Sequence, residues 1–430
     1  MMKKFAALLL AALVAASTLL GCSAQPDPTA GGTAAVKQAS LEPAQDLPVP
    51  AMEGELQSAQ QTAAGANDFA FRISPLLLEE GENTIASPFS IWMALCALAN
   101  GADEQAQTAM LKALGLSGLS MDAVNHGAAR MLYSLTKSYT EEGESPLAIA
   151  NALFVDPSQQ LNTGFAQAML DYYRAAAMNV DFSTQEAVDA VNAWSGEHTN
   201  GLIPKIVERF NPDTVLALCN AIYFSDRWEV EFDPALTGEE TFRGTQGEQP
   251  VSMMKRQGEM RYYEDERLQM AALPFINGGN LYILLPRDGD AWALLQGLSG
   301  DGFSALCAKM ESRMGTLKLP KFELDASFDL EPAMETMGMG RLFEDACLTK
   351  LTQQPLYLSQ AVHKAVIKVD EKGTTAAAVT MMAADECGTI LPELPPFEMT
   401  CDQPFVFVLC GRTYDGGDQV LFTGTMSNAN

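Results

Sequence analysis

Runs of apolar residues along the chain predict both helices and strands. Asp103 precedes a helical run through Leu111, and Gly115 follows it, because Asp is a favoured N-cap and Gly a favoured residue beyond a helix end. Residues 147–155 predict a strand. Residues 214–224, TVLALCNAIYF, are apolar nearly throughout, which indicates a strand covered on both faces in the middle of a sheet.

Two hairpins are predicted by glycine-rich turns between apolar segments, since Asn-Gly, Asp-Gly and Gly-Gly pairs favour tight reversals. The hairpins join 268–275 to 281–286 through NGGN at 277–280, and 404–410 to 420–422 through DGGD at 415–418. Helical patterns dominate the first part of the chain and strands the last part. The fold class is therefore predicted to be α+β, with largely antiparallel pairing near the C-terminus.

The N-terminus predicts export. Two lysines precede an apolar run at 5–14 that small residues follow, a pattern typical of a secretory signal and too short for a spanning helix. The run ends in LLGC at 19–22, which resembles the lipobox of bacterial lipoproteins. That resemblance implies a signal peptide at 1–21, a lipid on Cys22, and a secreted protein anchored by this lipid alone to the surface of a bacterial cell. An ordinary signal peptide with a chance cysteine is the alternative.

Composition divides the rest of the chain. Residues 22–66 are rich in Ala, Gln, Pro, Thr and Gly and lack apolar periodicity, which is typical of a flexible tether. From 67 to 430 helical and strand patterns mix without a break and without an internal repeat. Because 47% of the 430 residues are hydrophobic, the chain can bury a large core, and 67–430 is predicted to be one domain. The protein is expected to be a monomer.

Charge and cysteine content exclude several classes of protein. The chain has 54 acidic and 27 basic residues, a formal net charge of −27, and such a field repels nucleic acid and anionic glycans. Apart from Cys22, seven dispersed cysteines suggest no disulfide framework, and most stand in apolar runs as small core residues. With 3 histidines in the chain, a metal site of cysteine and histidine ligands is not expected. No Walker or dinucleotide-binding glycine pattern indicates a cofactor.

One segment has an unusual composition. A predicted strand at 365–370, AVIKVD, is followed by EKGTTAAAVT at 371–380, where Gly373 permits an unusual backbone bend and the residues after it are small. In an extended strand, Thr374 and every second residue after it would face one side and fit a packed interface. No proline removes a backbone donor before Pro392. The segment is therefore able to exist as an exposed loop or as a central strand.

This segment resembles the hinge of the reactive-centre loop in inhibitory members of the serpin family. Five further fragments resemble family segments, in family order, between 67 and 430. They are NTIASPFSI at 83–91, ANALF at 150–154, LCNAIYF at 218–224 with Trp228 and Phe232, LPKF at 319–322, and DQPFVF at 402–407. The resemblance implies a serpin fold, with three β-sheets, eight or nine helices and an exposed reactive-centre loop at about 371–396.

The resemblance also implies roles for particular residues. It places scission sixteen residues after Glu371, so that the bait bond is Cys387–Gly388. The alternative is that Cys387 is an incidental thiol in a solvated loop and that the true bond lies one or two residues away. The hinge of the loop comprises Glu371, Gly373, Thr374, Thr375, Ala376, Ala377 and Ala378. The family's shutter, a polar cluster beneath the point where the main sheet opens, is matched by Ser87, Ser90, Asn220 and His363. Trp228 matches the breach at the top of that sheet. The alternatives are that the four polar residues simply satisfy one another's hydrogen bonds and that Trp228 is an ordinary core residue.

The implied activity is inhibition of serine-type peptidases by a chain that has no catalytic residue. A peptidase would attack the carbonyl of Cys387 to form an acyl-enzyme, and the freed loop would then insert into the main sheet and stall deacylation. The small Cys387 side chain favours elastase-like or subtilisin-like targets, with cysteine peptidases secondary. No Lys or Arg lies between Gly373 and Pro396, which disfavours trypsin-like targets.

Three alternatives have to be weighed against inhibition. Thr375 and Val379 stand where glutamate and alanine are usual, which allows a non-inhibitory serpin, although both side chains would point outward. A lipid-anchored solute-binding protein fits the N-terminus but leaves the hinge unexplained. Ser134 and Lys137 fit the S-x-x-K pattern of penicillin-recognising enzymes, but no S-D-N or K-T-G motif accompanies them, and chance is the better interpretation.

Overall fold

The computed structural model describes residues 53–136, 147–211, 213–374, 395–413 and 416–429. Within these ranges the chain forms ten α-helices and sixteen strands. The helices are α1 (Glu53–Leu77), α2 (Pro88–Ala99), α3 (Glu104–Ala113), α4 (Met121–Thr136), α5 (Thr163–Tyr173), α6 (Gln185–His198), α7 (Ala291–Gln296), α8 (Gly300–Ala308), α9 (Glu331–Thr336) and α10 (Arg341–Glu344). The strands are β1 (Thr84–Ala86), β2 (Leu147–Val155), β3 (Ala176–Asn179), β4 (Leu216–Phe224), β5 (Asp226–Arg227), β6 (Gly238–Gly244), β7 (Gly247–Glu264), β8 (Leu268–Pro274), β9 (Asn280–Pro286), β10 (Glu311–Pro320), β11 (Phe322–Asp329), β12 (Gln360–Val369), β13 (Gly373–Thr374), β14 (Phe397–Thr400), β15 (Phe405–Arg412) and β16 (Asp418–Met426).

The described strands form three sheets. A five-stranded sheet, the main sheet, has the order β11-β12-β4-β2-β3, and a nine-stranded sheet has the order β1-β16-β15-β9-β8-β7-β10-β14 with β6 paired to β7. The third sheet consists of β13 and β5, which have two residues each. The predicted α+β class with three sheets is confirmed. The described part has ten helices where eight or nine were expected, and the last two are short segments of 6 and 4 residues.

Strand β4 lies in the middle of the main sheet, as its apolar sequence predicts. It pairs in parallel with β12 and antiparallel with β2. Leu218 and Ile222 face the main core, to which α2 contributes, whereas Ala217 and Cys219 face a second core to which α6 contributes. Both faces of β4 are therefore buried, and its side chains alternate between two hydrophobic cores.

The other predicted elements are also confirmed. Helix α3 begins after Asp103, whose carboxylate accepts the Ala106 N–H at 2.7 Å, and Gly115 follows the helix with a φ of +74°. Strand β2 has the predicted bounds. The pairs β8–β9 and β15–β16 are antiparallel, as the two glycine-rich turns predict.

The predicted boundary between tether and folded body needs correction. Helix α1 begins at Glu53, whereas the composition suggested a flexible tether through residue 66. Alanine and glutamine favour helix, and small side chains allow close packing. Thr62 and Ala66 are fully buried, and Gly65 packs against the backbone of Gly115. The signal peptide, Cys22 and the tether through residue 52 lie outside the described residues.

The described cysteines are core residues, as their apolar surroundings predict. All six are free and buried: Cys96, Cys219, Cys307, Cys347, Cys401 and Cys410. Ser134 lies in α4, is 7% exposed and donates its hydroxyl to Arg130 O at 2.9 Å, a contact typical of a helical serine. Lys137 lies outside the described residues. In the described part of the chain no helix has the length and apolar character of a bilayer span.

Candidate functional site on the main sheet

A row of polar side chains crosses the centre of the main sheet. Asn151 on β2 and His363 on β12 both stand opposite Asn220 on β4. The Asn220 Nδ2–H donates to Asn151 Oδ1 at 2.5 Å, and His363 Nδ1 lies 2.5 Å from Asn220 Oδ1. All three side chains are nearly or fully buried, so the strands β2, β4 and β12 are linked by side chains as well as by their backbones.

The N-terminus of α2 completes this polar row. The Ser87 N–H donates to His363 Nε2 at 2.9 Å, and the Ser90 hydroxyl donates to Asn220 Oδ1 at 2.7 Å. Because Nε2 accepts a hydrogen bond, the ring hydrogen of neutral His363 is on Nδ1 and is donated to Asn220. The structure thus brings together the four residues that the sequence placed in the shutter. We call the five residues the polar cluster: Ser87, Ser90, Asn151, Asn220 and His363.

His363 is neutral at physiological pH. Its side chain is fully buried, and this burial lowers the pKa of His363 to about 3. A proton on Nε2 would also face the Ser87 N–H, which donates to the same atom. The hydrogen bonds of the polar cluster therefore join uncharged groups. The side-chain nitrogen and oxygen atoms of Asn220 and His363 each act either as donor or as acceptor.

The hinge segment begins at Glu371, two residues after the end of β12. Gly373 pairs with Arg227, and Thr374 pairs with Asp226, so β13 runs antiparallel to β5. Gly373 has a φ of +148°, and a Cβ at this position would overlap Asp226 O. Both facts explain why a glycine stands here. Thr374 is fully buried, so the first hinge residues are already packed into the fold.

Glu371 is held by hydrogen bonds from three connecting segments of the fold. Its carboxylate accepts from Lys321 Nζ at 2.8 Å and from the Thr237 hydroxyl at 2.9 Å, and its carbonyl accepts from Phe232 N–H at 2.8 Å. Burial alone would raise the pKa of Glu371, but these hydrogen bonds hold it below its usual value. Lys321, from the LPKF fragment, is therefore a partner of the hinge.

Trp228 lies against the backbone of the hinge. Its indole Nε1–H donates to Asp370 O at 2.9 Å, and its backbone N–H donates to Lys372 O at 2.9 Å. The ring is 2% exposed and stacks on Phe275, with centroids 4.5 Å apart and planes at 16°. Trp228 therefore fixes the path of the chain from β12 to β13 by two hydrogen bonds.

Two residues of the site were missed by sequence reasoning. Asn151 was noticed only as part of the ANALF fragment, and only the register of β2 against β4 shows that it faces Asn220. Asp226 was not singled out, although its carboxylate is buried. Burial raises the pKa of Asp226 to about 6, and hydrogen bonds from Asn277 and Arg227 partly offset this effect. The remaining predicted site residues lie outside the described part: Cys22, Thr375, Ala376, Ala377, Ala378, Cys387 and Gly388.

Comparison with known proteins agrees with this architecture. A family model described as Serpin (serine protease inhibitor) matches residues 64–429. Alpha-1-antiproteinase S from Cavia porcellus is 30% identical over 366 residues, covering 83% of this chain and 88% of that protein. An uncharacterized serpin-like protein from Thermococcus kodakarensis is 32% identical over 369 residues, covering 84% of each chain.

Solved structures share the same fold. The crystal structure of tengpin, a thermophilic serpin in its native state, has a TM-score of 0.77 at 26% identity, covering 89% of this chain and 96% of that chain. Human thyroxine-binding globulin complexed with thyroxine has a TM-score of 0.75 at 25% identity, covering 87% and 100%. The chain therefore belongs to the serpin family, a family of protease inhibitors in general.

Proposed function

We propose that this chain inhibits serine-type peptidases by presenting the segment after Thr374 as a cleavable loop that inserts between β4 and β12. The pairing of β13 with β5 carries the proposal, because β5 follows β4 after a single residue. A strand growing from β13 would therefore continue along β4. The parallel arrangement of β4 and β12 supports this, since an inserted strand would run antiparallel to both neighbours.

The register of β13 supplies the register of the inserted strand. Each step forward from Thr374 is one step back along β4, because the pairing is antiparallel. Thr380 would then stand opposite Asn220. Ala384 would stand opposite Leu216, where β4 begins. A strand of this length spans roughly 35 Å at about 3.3 Å per residue, and an acylated peptidase would be carried over that distance.

Insertion requires β12 and β4 to separate, and the polar cluster opposes this separation. The contact between His363 and Asn220 would break, whereas the contact between Asn220 and Asn151 would remain on the other side. We propose that the polar cluster is the shutter and that Trp228 and Glu371 keep the hinge in place before cleavage. In this proposal the uncut form is a kinetic trap, and the added strand provides the free energy that drives insertion.

The residue before the bait bond defines the proposed targets. Cys387 has a small, moderately apolar side chain, which suits the shallow specificity pockets of elastase-like and subtilisin-like peptidases. Asp385 and Glu386 would disfavour peptidases with acidic clefts. Cysteine peptidases are a secondary target class. The bait bond itself lies outside the described residues, so it is tested directly by cleavage.

The decisive experiment mixes the protein with pancreatic elastase, subtilisin, papain and trypsin. We expect a covalent complex that survives denaturing electrophoresis with elastase or subtilisin, and cleavage after Cys387 in mass spectra of the loop fragments. Trypsin is the matched negative control, because no Lys or Arg lies between Gly373 and Pro396. Complete cleavage of the loop without any complex would show that the chain is a substrate and would reject inhibition.

A non-inhibitory serpin is the second candidate, because the fold is also that of thyroxine-binding globulin with thyroxine bound. Thermal unfolding before and after nicking of the loop separates the candidates. An inhibitor should melt at a much higher temperature once nicked, because the loop becomes a strand of the main sheet. A non-inhibitory serpin that does not insert its loop, or an anchored solute-binding protein, should not gain stability in this way.

We further propose that the protein acts outside a bacterial cell, held there by a lipid on Cys22. The support is the LLGC pattern at 19–22 after a signal-like apolar run. Mass spectrometry of the protein purified from membranes should find the mature N-terminus at Cys22 with a lipid attached. In a Cys22→Ala variant the protein should lose its membrane association, and unchanged association would contradict the anchor.

A further inference from the structure

The two residues of β5 are held on both edges. On one edge Gly373 pairs with Arg227 and Thr374 pairs with Asp226. On the other edge the Ile276 N–H, in the turn between β8 and β9, donates to Arg227 O at 3.0 Å. Strand β5 therefore joins the hinge of the loop to the β8–β9 hairpin.

Thr374 binds the backbone of Asp226 through its side chain. The Thr374 hydroxyl accepts the Asp226 N–H at 3.1 Å and lies 3.3 Å from Asp226 O, to which it donates. Thr374 is fully buried, so both contacts are shielded from water. The position of the hinge thus depends on where the backbone of Asp226 is held.

The carboxylate of Asp226 holds that backbone against the hairpin. Oδ1 accepts the Arg227 N–H at 2.8 Å and the Asn277 Nδ2–H at 3.0 Å, and Oδ2 accepts the Asn277 N–H at 3.2 Å. Asp226 is 5% exposed. A carboxylate buried to this extent is costly unless donors surround it, and here three N–H groups do so.

On the basis of the inhibitory function proposed above, we propose that Asp226 is a positioning residue. It keeps the first two residue pairs of the inserted strand, Gly373 with Arg227 and Thr374 with Asp226, formed in the uncut protein. Ordering a residue costs conformational entropy, and for Gly373 and Thr374 this cost has been met before cleavage. After cleavage, insertion adds pairs to an existing strand. Insertion that extends an existing strand is therefore faster, relative to hydrolysis of the acyl-enzyme, than insertion that has to form its first residue pairs after cleavage.

The test compares two variants that break the same contact from opposite sides. Asp226→Ala removes the carboxylate, and Asn277→Ala removes its side-chain donor in the turn. Glu231→Gln is the matched control, because Glu231 is an exposed carboxylate in the segment that follows β5. Hydrogen exchange at residues 371–374 of the uncut protein should be about tenfold faster or more in both variants and unchanged in the control.

The second measurement is the stoichiometry of inhibition, the moles of protein consumed for each mole of peptidase trapped. It should rise severalfold in both variants, while the rate of loop cleavage stays unchanged. If the contact between Asp226 and Asn277 only stabilised the fold, both variants would unfold at a lower urea concentration and the stoichiometry of inhibition would stay unchanged. Hinge exchange equal to the wild type in both variants would overturn the proposal, and so would a raised stoichiometry without faster exchange.

Failure of the two proposals can be told apart. If the wild type forms no covalent complex, inhibition is rejected, yet hydrogen exchange still decides whether Asp226 holds the hinge. If Asp226→Ala does not fold, Asp226→Asn keeps the side-chain volume while replacing one acceptor oxygen by a donor. Its exchange at 371–374, together with that of Asn277→Ala, then gives the result.

Discussion

His363 Nδ1 and Asn220 Oδ1 lie 2.5 Å apart across the pairing of β12 with β4. In the proposed inhibition, the loop would enter the main sheet as a further strand at this boundary. Asn220 also binds Asn151 on β2, whereas the Nε2 atom of His363 binds Ser87 at the start of α2. Opening of the sheet would therefore divide the polar cluster, with His363 leaving on β12 and both asparagines staying together.

The stability of the uncut protein should fall in acid because of His363. Burial lowers the pKa of His363 from 6.5 to about 3, so the neutral ring contributes stability that is present above pH 6.5 and lost as pH falls toward 3. Each pH unit in this window should cost up to about 1.4 kcal/mol from this group. Urea unfolding of wild type and His363→Gln between pH 7 and pH 4 measures the effect.

His126→Gln is the control for this titration, because His126 is exposed on α4. It should keep the pH dependence of the wild type, whereas His363→Gln should flatten it. Equal slopes for wild type and His363→Gln would contradict the assignment of acid sensitivity to the polar cluster.

Asn220→Ala should destabilise the uncut protein by about 2 to 4 kcal/mol. The variant leaves the His363 Nδ1–H and the Ser90 hydroxyl without their acceptor in a buried site. Gln105→Ala, at an exposed position on α3, should change the free energy of unfolding by less than about 0.5 kcal/mol. Equal effects of the two variants in urea titrations would show that the cluster adds nothing beyond packing.

Thr374→Arg should convert the proposed inhibitor into a substrate. Thr374 is fully buried beside Asp226, and a guanidinium cannot enter that site without a large desolvation cost. The same peptidase should still cleave the loop, but no covalent complex should form and nicking should not raise the melting temperature. Thr374→Ser keeps the hydroxyl and should retain both properties. A normal yield of complex from Thr374→Arg would argue against entry of this residue into the sheet.

The ion pair between Glu371 and Lys321 should contribute about 1 kcal/mol, measured as the coupling energy of a double-mutant cycle with Glu371→Gln and Lys321→Met. The Glu371 side chain is 13% exposed and also binds Thr237, so it is ordered on both sides. The pair of Lys205 and Glu208 is the control, since its side chains are 59% and 83% exposed. That cycle should give a clearly weaker coupling, because solvent screens an exposed ion pair; equal couplings would contradict a role for Glu371 as a fixed point of the hinge.

The sequence predicts the structure best where a single local property of the residues determines it. The run at 214–224 is apolar on both faces, and a strand between two cores is the arrangement that buries both. Ser87, Ser90, Asn220 and His363 were grouped by resemblance, and the structure brings them into contact. Glycine at 373 was expected at a bend, and it has a positive φ.

Agreement ends where partners come from distant parts of the chain. Asn151 joins the polar cluster only through the register of β2 against β4, which a single strand sequence does not encode. Asp226 is buried because a hairpin fifty residues further along covers it and supplies Asn277. The start of α1 was missed because an alanine-rich segment has the composition of a tether, and only tertiary packing at Thr62 and Ala66 reveals a helix.

The short strand β13 has a consequence for the fidelity of assembly. Side chains that stand opposite one another in antiparallel strands lie on the same face, so Thr374 shares the face of Asp226. A shift by one residue would exchange small inward side chains for outward ones such as Val379. Because two residues are already aligned, the proposed insertion would begin with the alternation of its later side chains fixed during folding. No register would then have to be found after cleavage.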